Sequence, residues 1–216
     1  GCGSTLKEYD HLLADDPAYA DRASAFSQKV RDISEFLASI PLNRTMGEVP
    51  YTVAYHDACH LAHGQKIKLQ PRQLLHMIPG LTLIDLKESD WCCGSAGVYN
   101  ITNQEMAQQL LERKIEHIAA TGASIVATGN PGCMMQIAMG ARQRGLEMSV
   151  VHPIQLLDQA YLAAELYSPP AQDVSVQQKR QRALLISIVL ALLVGTLLLG
   201  RQRRGRTKSL ALKRKK

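Results

Sequence analysis

Four of the five cysteines fall in a pattern that constrains this chain more than anything else in it. Cys59 is followed after thirty-two residues by the adjacent pair Cys92-Cys93, then Gly94, and later by Cys133. An adjacent pair makes an awkward disulfide, because closing it strains the peptide between the two residues. The same pair suits thiolates that meet a metal centre, since both sulfurs can face one polynuclear cluster. As ligands, neither would be a nucleophile. The pattern predicts a soft-metal site, iron–sulfur in kind, held by Cys59, Cys92, Cys93 and Cys133.

Hydrophobic periodicity says where these cysteines lie. Residues 5–13 and 18–40 read as helices, the second carrying Ala25, Val30, Ile33, Phe36 and Leu37 at helical spacing, with Pro41 as its stop. From residue 50 the pattern changes to short β-rich runs, Tyr51–Tyr55, Leu81–Leu86, Ser124–Thr128 and Glu147–Val151. Between and after them come helical stretches at about 71–78, 103–120, 133–144 and 153–166. This alternation predicts an α/β domain, a small parallel sheet with flanking helices, over 49–166. Cys59 then follows the first strand, Cys92-Cys93 the second and Cys133 the third. All of them would emerge at carboxyl ends of parallel strands, where open α/β sheets have their ligand crevices.

Around the cysteines, His56, His60 and His63 cluster near Cys59, and His56 and His60 are expected to hydrogen-bond a thiolate or cap the following turn. Gly94 and Gly97 are expected to allow close backbone approach, with N–H groups directed at cluster sulfurs. Trp91 reads as core or shielding, and Met134, Met135 and Met139 as packing.

Net charge bears on partners. Twelve of the 25 Lys and Arg lie from Lys179 onward, a stretch without Asp or Glu, whereas the first 178 residues set thirteen bases against all nineteen acids. The cysteine-bearing part is therefore mildly acidic and gives no reason to expect nucleic-acid binding. After a polar linker at 167–182, residues 183–200 form an uncharged run, ALLISIVLALLVGTLLLG, flanked by bases and followed by a basic tail, 201–216. At 1.5 Å per residue a helix there spans about 27 Å, enough for a single membrane anchor. The heavier basic flank is C-terminal, which favours a cytoplasmic tail. Five cysteines with no secretory leader pattern instead favour a reducing compartment for the metal domain. The reading adopted is membrane association with the metal domain on the cytoplasmic side. The opening Gly1-Cys2-Gly3-Ser4 lacks an initiator Met and reads as the interior of a longer chain.

The boxes Tyr55-His56-Asp57-Ala58-Cys59-His60-Leu61, Asp90-Trp91-Cys92-Cys93-Gly94-Ser95-Ala96-Gly97 and Gly129-Asn130-Pro131-Gly132-Cys133 resemble the cysteine-rich CCG domain. Asn130 stands where that family has the first cysteine of Cys-x-x-Cys. With His152–Asp158 and the opening residues, the wording is similar to the iron–sulfur subunits of glycolate oxidase (glycolate dehydrogenase) over residues 1–166. The resemblance implies that residues 1–48 are a helical connection from a truncated first CCG repeat, with Cys2 as that repeat's last cysteine. It implies an electron-transfer subunit with no catalytic residue of its own. Its FAD-containing partner would oxidise glycolate to glyoxylate, and electrons would pass toward a membrane acceptor such as quinone. Four cysteines can hold a [4Fe–4S] cluster, cubane or non-cubane, and zinc is an alternative. Two other functions stay open, a structural zinc scaffold and a CCG-type thiol–disulfide (heterodisulfide) reductase.

Overall fold

The computed structural model describes residues 2–167. The expected linker beyond residue 167, the span 183–200 and the basic tail lie outside the described residues. Among the described residues, no helix is long and apolar enough to cross a membrane.

The centre of the fold is a sheet of four parallel strands: β1 (Thr52–His56), β2 (Thr82–Ile84), β3 (Ile125–Thr128) and β4 (Ser149–Val151), in the order β2-β1-β3-β4. Val53 is paired with Leu83 on one side and Ile125 on the other, and Val126 with Val150. The two central strands are buried on both faces, which is why β1 (TVAYH) and β3 (IVAT) read as nearly unbroken apolar runs. The edge strands are shorter than the sequence predicts, three residues each, because pairing is lost where their flanking residues leave the neighbouring strand.

Helices cover both faces. On one, α7 (Gln104–Thr121) and α8 (Pro131–Gln143) bury Leu111, Ile115, Ile118 and Ile137 against Ala54 and Val126. On the other, α5 (Leu69–His76) and α9 (Pro153–Ala163) bury Leu74, Leu75, Leu156 and Leu157 against Val53, Tyr55 and Ala127. Right-handed crossovers dictate this division. The chain leaves β1 outward to β2 through α5, then reverses past β1 to β3 through α7, so α5 and α7 fall on opposite faces, while α8, crossing onward in the same direction, joins α7. The reversal makes a topological switch point between β1 and β3, where an open sheet parts at its carboxyl end.

The N-terminal region departs from the expected pair of helices. It comprises α1 (Cys2–Lys7), α2 (Tyr9–Leu12), α3 (Ala20–Ser27) and α4 (Ile33–Ala38). Asp32 breaks the expected 18–40 helix: its backbone is extended, its carboxylate accepts the Ser34 N–H at 2.8 Å, and Glu35 accepts the Asp32 N–H at 3.2 Å. This reciprocal cap starts a new helix. Helical phase does not carry across the break, so Ala25, Ile33 and Phe36 are exposed and Ala23, Ser27 and Ser34 face inward. A short helix α6 (Tyr99–Thr102) and a single π-helical turn, His60–Gly64, were not signalled by periodicity either.

One ion pair locks β1 to α5. Both Arg72 Nη atoms lie 2.6 Å from the Asp57 carboxylate oxygens, and the guanidinium lies 4.7 Å from the Tyr55 ring centre. Burial alone would raise the Asp57 carboxyl, but hydrogen bonds from Arg72 and Ser89, with the Arg72 charge, bring it below its ordinary range. A depressed carboxyl contributes stability above its unfolded pKa and loses that contribution as pH falls through the folded value. Arg72→Met should cost about 2 kcal/mol at neutral pH, below the range for fully buried pairs because Arg72 is partly solvated. In urea unfolding, the difference from the parent should shrink as pH falls below about 4.

Candidate metal centre

Three loops bring the cysteines to the switch point. Cys59 follows β1, Cys92 and Cys93 follow β2, and Cys133 lies in the first turn of α8 after β3. Each is positioned by local chemistry. Leu61 and Ala62 are buried, which draws the π-helical turn inward behind Cys59. The His60 N–H then lies close enough to lower the Cys59 thiol, although the wider effect on that thiol is upward. Asn130 caps α8, its Oδ1 accepting the N–H groups of Gly132 at 2.8 Å and Cys133 at 3.3 Å, and Pro131 fills the first helical position. Asn130 thus holds the helix that presents Cys133.

The loop before Cys92 is clamped from several sides. Ser89 accepts the Asp57 N–H at 3.0 Å. The Arg113 guanidinium grips Glu88 at 2.6 and 2.8 Å and lies 4.8 Å from the Trp91 ring centre. Lys68 approaches Asp90 at 3.5 Å. After the cysteine pair, Gly94 has φ +88°, and a Cβ there would run into the Ala107 carbonyl of α7. Its N–H donates to Cys92 Sγ at 3.3 Å. Gly94 therefore serves both backbone approach and sulfur contact. Gly97 differs: its φ is +69°, but a Cβ would meet only open space, so the expected close approach does not hold there.

Cys93 and Cys133 are buried in the apolar layer between sheet and helices, whereas Cys59 and Cys92 are partly exposed. Cys93, Cys133 and His56 have ligand atoms within 4.8 Å of one another, all buried, and Cys59 and Cys92 stand outside that close set. The thiols act on one another in a series, Cys59 on Cys92, Cys92 on Cys93 and Cys93 on Cys133, with the His56 charge acting on Cys133. Along this series they alternate. Hydrogen bonds from Cys59 and Cys93, with the Gly94 N–H, hold Cys92 far below the ordinary thiol range. Cys93 lowers Cys133 against the effect of burial, with His56 adding to the lowering. Cys59 and Cys93 are pushed up, first by the neighbouring thiols and then by burial.

Neighbouring thiols cannot all ionise side by side unless a cation takes up the repulsion. Neither ring nitrogen of buried His56 has a hydrogen-bond partner, an orphaned pair beside Cys133 that a metal centre or its sulfur would satisfy. The residues fit a soft, positively charged centre with thiolate ligands.

The remaining expectations divide. His60 is exposed and His63 faces Asp90, so only His56 of the three histidines joins the close set. The buried pair Leu61 and Ala62 turns the other two outward. Trp91 is 46% exposed and Met135 70%, so neither is core, and Met139 packs as expected. Cys2 is exposed at the start of α1. Sequence reasoning missed Asp57, Arg72 and Lys114. The signal for Lys114 was there: it falls in register with Leu111, Ile115 and Ile118 on the apolar face of α7.

Residues 53–138 match the family model of the cysteine-rich domain termed CCG. The probable glycolate oxidase iron–sulfur subunit of Bacillus subtilis (strain 168) is 43% identical over 164 residues, 74% of this chain and 37% of that protein. The glycolate oxidase iron–sulfur subunit of Escherichia coli (strain K12) is 34% identical over 160 residues, 74% of this chain and 38% of that protein. Lactate utilization protein A of Oceanobacillus iheyensis is 30% identical over 158 residues, 73% of this chain and 65% of that protein. The chain thus spans under two-fifths of the length of the two glycolate oxidase subunits.

Proposed function

We infer, from a chain whose residues 53–138 match the CCG cysteine-rich domain model, that it is the iron–sulfur electron-transfer part of a complex oxidising a 2-hydroxy acid. Glycolate is the proposed donor, oxidised to glyoxylate on an FAD-containing partner subunit. Cys59, Cys92, Cys93 and Cys133 are the proposed ligands of a [4Fe–4S] centre, which when bound supplies one-electron storage and transfer. The observation that carries this reading is the convergence of those four cysteines from three loops on one switch point. The names of the relatives supply the substrate class.

The chain's own residues have separable tasks in this reading. Cys93 and Cys133, buried in the apolar layer, would hold the centre where water is excluded. Cys59 and Cys92, partly exposed, would hold it where a redox partner can approach. The Gly94 N–H donates to Cys92 and stabilises its thiolate. His56 fills the space beside Cys133. Residues 183–200 would keep the domain at a membrane, near a quinone-type acceptor. The relatives named as iron–sulfur subunits weigh against the zinc scaffold.

Stopped-flow mixing of the iron-loaded chain with its flavin subunit tests this. Glycolate should bleach the visible absorption of this chain within one turnover of the pair. Bleaching by neither glycolate nor lactate, while the flavin itself is reduced, would contradict an electron-transfer role.

A further inference from the structure

Lys114 is the one charged side chain on the buried face of α7, and it is 1% exposed. Its Nζ donates to the backbone carbonyls of Glu88 and, at 3.5 Å, Ser89, in the loop leading to Cys92-Cys93. Burying an ammonium costs several kcal/mol unless an anion offsets it. Among the described residues, no carboxylate forms an ion pair with Lys114. Three lie within charge range, Glu88, Asp90 and Asp57, and each already has its own cation. Glu88 is held by Arg113 at 2.6 Å with His117 at 3.3 Å, Asp90 by Lys68 at 3.5 Å, and Asp57 by Arg72 at 2.6 Å. Burial lowers the Lys114 pKa, and Cys93 lies in the same buried layer as Leu111 and Ile115, the neighbours of Lys114 on α7.

We propose that Lys114 is the buried counter-charge of the thiolate-ligated centre, tethering the Glu88–Ser89 backbone that presents Cys92-Cys93 and favouring the centre's reduced state. The proposal rests on the iron–sulfur reading above. Each electron added to a thiolate-ligated cluster makes it more negative, and a fixed positive charge in a medium of low dielectric stabilises that state. A hydrogen-bonding tether without charge would build the same loop but leave the potential alone. The two roles are therefore separable.

Lys114→Gln keeps an N–H donor for the carbonyls and removes the charge, and Lys114→Met removes both. The full chain and both variants are reconstituted anaerobically with iron and sulfide. Iron content, circular dichroism and the midpoint potential from an EPR-monitored titration are then compared. The Gln variant is expected to fold, to hold parental iron and to titrate at a more negative potential, while the Met variant holds less iron. An iron-loaded Gln variant with the parental potential would overturn the proposal. So would a Gln variant that fails to fold or folds without iron, since Lys114 would then serve only to build the loop. A parent that binds no iron would overturn the iron–sulfur reading and this one together, so the two failures are distinguishable.

Discussion

Cys93→Ser is expected to remove almost all bound iron from a chain whose sheet remains folded. Cys93 is buried among Ala54, Leu111, Ile115 and Ile137, and its sulfur belongs to the close set with Cys133 and His56. Serine has nearly the same shape but offers a hard, protonated oxygen where the centre needs a soft thiolate. It also places a hydroxyl in an apolar layer, at about 1–2 kcal/mol. In a domain of this size that corresponds to a fall of several degrees in Tm, about 2–4 °C per kcal/mol, without unfolding. Iron assay and far-ultraviolet circular dichroism on the same sample check both halves. Full iron stoichiometry in the variant would remove Cys93 from the proposed ligand set.

Gly94→Ala should be the most destabilising single-methyl change in the described chain. Two effects coincide there. A backbone at φ +88° disfavours any side chain by about 1 kcal/mol. The added methyl would also meet the Ala107 carbonyl, a backbone atom at the start of α7 with no rotamer to yield. Relieving that contact moves the loop away from the helix, and Cys92 loses the N–H that Gly94 donates. A cost of about 3 kcal/mol or more is expected, together with lost iron. Gly97→Ala is the internal control. Its φ is also positive, but its surroundings are open, so only the conformational cost of about 1 kcal/mol applies. Urea unfolding of both variants decides the matter, and equal costs would show that the α7 approach does not constrain the loop.

Much of this was legible in the residues because it depends on short-range pattern. The apolar runs of β1 and β3 announced buried parallel strands, and the helical stretch at about 103–120 announced α7. Once strands alternate with helices, the right-handed crossover rule brings post-strand loops to one end of the sheet, so the meeting of Cys59, Cys92, Cys93 and Cys133 followed from order along the chain. What escaped depends on partners distant in sequence or on competing local signals. The Asp32–Glu35 cap cut a periodic stretch that otherwise reads as one helix. The orientation of His60 and His63 was set by which side of the π-helical turn Leu61 and Ala62 bury. The distinct roles of Gly94 and Gly97 depend on α7, which begins only after both. Lys114 was hidden for a different reason: a lysine in an apolar stripe reads as a boundary residue until the accounting of charges around it is complete.

The account's central claim is that the four cysteines hold an iron–sulfur centre. Metal analysis of the full chain purified anaerobically, with EPR of the dithionite-reduced protein, tests it most directly. The prediction is about four irons with matching acid-labile sulfide and a low-temperature cluster signal, from a brown protein. One zinc per chain, no iron and no signal would contradict it and turn the same cysteines into a structural scaffold.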